Sequence, residues 1–117
     1  MAAVCRYGLV SAVALALVLL CSGTDGSKAW GRSSRANHTV IMEGVQFSPS
    51  DLTVKAGDTE TWINRDPFPH TATADGGLFD SHAIEPERSW RFTPKKAGVI
   101  SYGCTYHPTM KGTLRIE

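Results

Sequence analysis

From residue 36 to the C-terminus no stretch of this chain sustains a helical period. Apolar and polar side chains instead alternate in short segments cut off by glycine, proline and aspartate. Segments this short cannot bury an apolar face alone, so they must pair into sheets, and helix-covered architectures are excluded. Strands are expected at His38 to Glu43, Val45 to Phe47, Leu52 to Val54, Thr59 to Asn64, Thr71 to Ala74, Ser89 to Thr93, Val99 to Cys104 and Lys111 to Ile116. Turns fall at Ser48-Pro49-Ser50, at Lys55 to Asp58, at Asp75-Gly76-Gly77 and at Pro94 to Gly98. Seven to eight strands at this spacing predict an all-β antiparallel sandwich. Trp62, Trp90, Phe92 and Tyr102 occupy inward positions of the alternation and are expected in its core.

The N-terminus has a different character. Arg6 is followed by an uncharged apolar run, Leu9 to Leu20, of 12 residues. That is too short to cross a bilayer as a stable helix, but it matches the apolar region of a secretory signal. A signal peptide is therefore expected over residues 1–23, with cleavage after Gly23 or as late as Ala29, since both offer small residues. The protein would be periplasmic or secreted, with no stable membrane insertion of the mature domain. Lipid anchoring at Cys21 is the weaker reading, because Leu20 stands where lipoprotein signals favour a small residue. Residues 24–35 are rich in glycine and serine and read as a flexible leader, leaving 36–117 as the folded domain.

With residues 1–23 removed the chain carries 11 basic and 11 acidic residues and a single cysteine, Cys104. A near-neutral balance without a clustered basic face argues against nucleic acid as a partner. A lone cysteine in an oxidising compartment cannot close an internal disulfide, so Cys104 is a liability, an inert core residue or a ligand.

The surrounding residues favour a ligand. Cys104, His107 and Met110 stand at three-residue intervals in Tyr-Gly-Cys-Thr-Tyr-His-Pro-Thr-Met-Lys-Gly. Two imidazoles and a thiolate in a plane, with a distant thioether on the axis, form the ligand pattern of a blue-copper centre. His70, in Pro-Phe-Pro-His-Thr, is the best candidate for the second imidazole. Zinc could take the cysteine and two histidines, but it has no use for Met110. Cys104 ends one expected strand and Met110 immediately precedes the next, so the ligand loop is anchored at both ends and Pro108 stiffens its middle. His38 and His82 have no partners at comparable intervals, and His82 reads as surface.

Residues 38 to 117 resemble a cupredoxin, most similar to the amicyanin and pseudoazurin branch. The resemblance is carried by Gly57-Asp58, Trp62-Ile63-Asn64-Arg65, Pro69-His70, Tyr102 and Cys104-Thr105 through His107-Pro108 to Met110-Lys111-Gly112. It implies an eight-stranded Greek-key sandwich with one type 1 copper at one end, bound by His70, Cys104, His107 and Met110. It also implies single-electron transfer without chemical turnover. Transient redox partners would then dock on the face formed by His107, Phe68 and Pro108, with Pro67 and Pro69 beside them, and the protein would act as a monomer.

Two departures from that branch bear on the site. Tyr106 stands where proline usually precedes the loop histidine, and the N–H it retains is expected to join the Thr71 N–H in donating to the Cys104 sulfur. Thr71 replaces an asparagine that ties the two ligand loops together, which puts their rigidity in question. An enzymatic role finds little support, because there is no His-x-His pair for a second metal centre and no cleft for a Cys104 and His107 nucleophile pair. The alternative function is copper carriage or resistance without a redox relay.

Overall fold

The computed structural model describes Gly31 and residues 34 to 117. The expected signal peptide and most of the leader lie outside the described residues. Eight strands follow in order: β1 Asn37–Met42, β2 Phe47–Ser48, β3 Asp51–Val54, β4 Thr59–Asn64, β5 Thr73–Ala74, β6 Ser89–Phe92, β7 Gly98–Gly103 and β8 Lys111–Ile116. They form two four-stranded sheets, β2-β1-β4-β6 and β3-β8-β7-β5. The eight segments expected from the alternation are all present, with ends displaced by one or two residues.

One expectation needs correction. The sandwich is mixed, because β1 pairs with β4 in parallel and β3 pairs with β8 in parallel, while the other pairs are antiparallel. Between β1 and β4 the chain visits the opposite sheet as β3, so it re-enters the first sheet running in its original direction. Side-chain alternation has a period of two in either orientation, so it does not report strand direction.

The core lies between the sheets. Val40, Met42 and Trp62 project from one side, and Val54, Tyr102, Leu114 and Ile116 from the other, with Phe79 inserted from the loop after β5. The Trp62 ring lies 5.5 Å edge-on from Tyr102 and 5.6 Å from both Phe79 and Trp90. Trp90 and Phe92 sit at its half-buried margin. The close pairing of β7 with β8 depends on Gly112, where a Cβ would stand 2.3 Å from Tyr102 Cζ. Only glycine leaves room for the phenol ring there.

Candidate metal centre

Two loops at one end of the sandwich carry the predicted ligands. Cys104 and Met110 flank the β7–β8 connection, and the loop is closed by its own backbone bonds. Cys104 N donates to Met110 O at 3.2 Å, Met110 N to His107 O at 2.9 Å and His107 N to Cys104 O at 3.3 Å. The second loop leaves β4 at Asn64, whose buried amide donates to Phe68 O and Ile84 O, both at 2.8 Å, and whose Oδ1 accepts Asp66 N at 2.9 Å. These bonds fix the Pro67-Phe68-Pro69 bend. His70 is then held by a backbone bridge to Ile84.

The structure brings His70, Cys104 and His107 together, with their ligand atoms all within 4.8 Å of one another. Cys104 Sγ lies 3.8 Å from His70 Nδ1 and 3.7 Å from His107 Nδ1. A metal with bonds of about 2.0 Å to nitrogen and about 2.3 Å to sulfur would separate those atoms by about 3.7 Å in a trigonal plane. The residues present therefore fit a metal ion without rearrangement. His70 is fully buried, Cys104 and Met110 nearly so, and His107 is half-buried. Met110 is buried at the end of the same loop, held there by its backbone bonds to Cys104 and His107.

Hydrogen bonds around the ligands fix their chemistry. Thr71 N donates to Cys104 Sγ at 3.3 Å. The second donor expected from Tyr106 is not found among the bonds to this sulfur: the tight turn from Cys104 O to His107 N carries the Tyr106 backbone past it. The question over Thr71 is answered by its hydroxyl, which accepts Thr105 N at 2.9 Å and lies 3.3 Å from Thr105 Oγ1. The two ligand loops are thus tied by threonine. That hydroxyl also lies 3.0 Å from Thr73 Oγ1, which in turn lies 3.0 Å from Asp80 Oδ1. Thr73 Oγ1 is the donor in both contacts, so its single proton serves either the Thr71 hydroxyl or the Asp80 carboxylate.

Asp66 is the residue that sequence reasoning missed. Its Oδ2 lies 2.6 Å from His70 Nε2. Burial alone would raise this carboxyl, but the N–H of Val45, the His70 imidazole and the N–H of Gly44 together hold it below the usual carboxylate range. An ionised carboxylate only accepts, so Nε2 carries the ring proton and Nδ1 is left with a lone pair facing the sulfur. The sequence signal available for it was a carboxylate four residues before a candidate ligand.

His107 sits among exposed or half-buried apolar side chains. Its ring is 5.5 Å from that of Phe68 and 4.9 Å from that of His70. Phe68, Pro67, Tyr106 and Pro108 are exposed around it. His82 is exposed, as expected. His38, by contrast, has a partner, Asp58 Oδ2 at 2.9 Å, which lies 20 residues away in sequence and so escaped a search by spacing.

Residues 35–117 match the family of copper binding proteins of the plastocyanin/azurin type. Amicyanin from Paracoccus denitrificans is 35% identical over 83 residues, a match that takes in 67% of this chain and 63% of the relative. Plastocyanin from Scenedesmus fuscus is 32% identical over 84 residues, covering 61% of this chain and 86% of that one. A solved structure of an amicyanin variant in its Cu(I) state superposes with a TM-score of 0.66 at 30% identity, covering 69% of this chain and 82% of that one. The chain spans a little under two thirds of the length of the amicyanins it matches. A preformed cluster of one cysteine sulfur and two imidazoles at one end of an eight-stranded sandwich, and likeness over residues 35–117, lead to one assignment: the chain belongs to the plastocyanin/azurin family of copper-binding proteins.

Proposed function

We propose that the protein is an exported type 1 copper protein that carries single electrons between larger redox partners and performs no chemical turnover of its own. His70, Cys104 and His107 would bind the ion, with Met110 as the weak axial ligand. The observation that carries this reading is the cluster itself, two imidazole nitrogens at 3.8 and 3.7 Å from one buried sulfur. The names of the matched relatives, amicyanin and plastocyanin, support it.

Copper bound there would supply a one-electron couple. The chain's own residues do the rest. The loops hold the ligand atoms in one arrangement through bonds that do not involve the metal, namely Thr105 N to Thr71 Oγ1, Cys104 N to Met110 O and His70 N to Ile84 O. A site that need not move between oxidation states loses little energy to reorganisation. The Thr71 N–H withdraws charge from the sulfur, and the sheets keep water from His70 and Cys104. His107, half-buried in an apolar rim, is the side chain through which an electron would leave. A small apolar patch of this kind suits brief docking of a redox protein on the His107, Phe68 and Pro108 face, with this protein acting as a monomer.

The visible spectrum of the Cu(II)-loaded protein tests the site. An intense visible colour that ordinary cupric complexes lack is expected from a short thiolate bond in a trigonal site, and a colourless sample would refute it. Voltammetry then tests the role. A reversible wave supports a shuttle, whereas loss of copper on reduction would turn the reading towards a copper carrier.

A further inference from the structure

The stretch that carries Thr71 is also held from its outer side. β5 is only two residues long and stands at the edge of its sheet, and the segment from Phe79 to Ile84 runs antiparallel along its free side. Ala74 N donates to Phe79 O at 2.9 Å and Ser81 N to Ala72 O at 3.0 Å, and bridges join Thr73 to Asp80 and His70 to Ile84. Between those bridges two residues, Thr71 and Ala72, face three, Ser81, His82 and Ala83. The extra residue makes a β-bulge, a device that re-aims groups beside functional sites. His82 takes it up with a φ of 55°, in the left-handed region that residues other than glycine seldom occupy. Two side chains hold it there. Asp80 Oδ1 accepts His82 N at 2.9 Å and lies 3.0 Å from Thr73 Oγ1. Ser81 Oγ donates to His82 O and accepts Ala72 N, both at 2.7 Å.

We propose that Ser81, with Asp80 beside it, is a positioning residue for the metal site: its hydroxyl closes the bulge at His82 against Ala72, and so fixes where Thr71 presents its N–H to the Cys104 sulfur and its hydroxyl to Thr105. The proposal rests on the reading of Cys104 as a ligand. Alternation of the backbone supplies the mechanism. The N–H groups of His70, Ala72 and Ala74 turn outward to the Phe79 to Ile84 segment, so that of Thr71 turns the other way, to Cys104 Sγ at 3.3 Å. Ladder bonds at His70 and Ala74 pin the two ends of this stretch. Its middle depends on Ser81. In a regular hydrogen-bonded pair the Ala72 N–H would meet the Ser81 carbonyl, whereas the bulge gives it the Ser81 hydroxyl. Thr71, held in that place, accepts Thr105 N on its own hydroxyl at 2.9 Å. Ser81 and Asp80 act through the Thr71 to Thr73 stretch, since neither belongs to the ligand set.

The test reads the amide protons of Thr71 and Thr105 in the 15N-labelled, metal-free full chain. Ser81→Ala is expected to shift both signals and to speed their exchange with solvent by roughly 3- to 10-fold, the factor that loss of one hydrogen bond allows. Ser81→Thr keeps the hydroxyl and should return both amides to the parent pattern. Where the alanine variant does not fold, Asp80→Ala is read on the same amides and should move them in the same direction. In the copper-loaded protein Ser81→Ala is expected to lower the reduction potential, because weaker N–H donation leaves more charge on the sulfur. The substitution changes no charge, so a through-space field does not account for such a shift. A serine with a merely structural role would lower the Tm on replacement and leave the amides and the potential where they were. Unmoved amides, a threonine variant that fails to restore them, or a blue protein whose potential ignores Ser81→Ala would overturn the proposal. The amides are read without copper, so a protein that never turns blue yet shows Ser81-dependent amides would sink the proposed function and leave the role of Ser81 beside Cys104 standing.

Discussion

At the scale of single residues, the candidate site is held by side chains that reach it from other parts of the chain, Thr71 from 34 residues before Thr105 and Asp66 from the loop that delivers His70. Cys104, His107 and Met110 announce themselves by spacing, and His70 by its proline-flanked position. Thr71 could not be judged from sequence, since whether a hydroxyl spans the gap to Thr105 depends on where two loops 34 residues apart come to rest. The structure gives that hydroxyl a specific task. Thr71→Val keeps the shape but removes the acceptor of Thr105 N–H, so the loops should part company locally. A loss of about 1 kcal/mol is expected, read as a Tm lower by roughly 4 to 8 °C in the metal-free protein. Thr71→Ser should recover most of it, and no loss in the valine variant would show that the tie is dispensable. Gly112 offers a sharper case. A methyl group there would collide with Tyr102 Cζ, Oη and Cε1, all closer than 3 Å and all part of a rigid ring. Gly112→Ala must displace Tyr102 from the core and is expected to cost about 1 to 3 kcal/mol, seen as a lower urea midpoint with an unchanged ligand set.

At the scale of elements, the alternation located every strand, but it did not reveal which strands run in parallel or what secures their ends. The parallel β1–β4 pair begins at a polar clamp. Asp58, in the turn before β4, accepts Ala36 N through Oδ1 at 2.9 Å, and takes His38 Nε2 and Lys55 N on Oδ2 at 2.9 and 3.1 Å. A carboxylate with three donors favours its charged form. The Ala36 N–H, then the His38 side chain and the Lys55 N–H, bring its pKa down to about 2. A group whose folded pKa lies below its unfolded one stabilises at pH values above the unfolded pKa, and that contribution disappears as the pH falls through the folded one. Asp58→Asn should therefore lower the Tm at pH 7 by roughly 4 to 8 °C, and the difference from the parent should shrink between about pH 4 and pH 2. An equal deficit at pH 7 and pH 2 would assign the effect to packing. The Arg115 and Asp51 pair that links β8 to β3 makes a useful contrast. Both side chains are about half exposed, at 50% and 57%, so water and salt screen their attraction, and Arg115→Ala should change stability by less than about 1 kcal/mol.

At the scale of the whole molecule, the most unusual feature is a carboxyl group with no exposed surface near the start of β4. The alternation that turns Trp62 and Asn64 inward turns Glu60 inward as well, so its burial was implicit in the pattern although its chemistry argued otherwise. Glu60 has no exposed surface, and neither oxygen finds a hydrogen-bond partner. Asn64, on the same face, satisfies its amide with three backbone groups. Removal from water disfavours the charged form, and burial pushes the Glu60 pKa up to about 7 from an ordinary 4.5. The sign of the consequence is opposite to that at Asp58. Between pH 4.5 and 7 the folded protein binds a proton that the unfolded chain releases, so stability is fully present below 4.5 and declines as the pH rises towards 7. Asp58, Asp66 and Asp80, all with lowered values, act at the acid end, where stability is lost as the pH falls. The buried glutamate and the aspartates thus pull in opposite directions, and the metal-free protein is expected to lose stability as the pH rises towards 7 as well as when it falls through the acid range. Thermal unfolding across pH 3 to 8 measures this directly. Glu60→Leu removes the orphaned oxygens at similar volume, and should raise the Tm at both ends of the range, by roughly 5 to 15 °C at pH 8 and by less at pH 4, where the carboxyl is neutral. A parent protein whose stability stays level from pH 4.5 to 7, or a leucine variant with the same gain at both ends of the range, would mean that this carboxyl group does not titrate on folding, and that its orphaned position is relieved by a movement of the core.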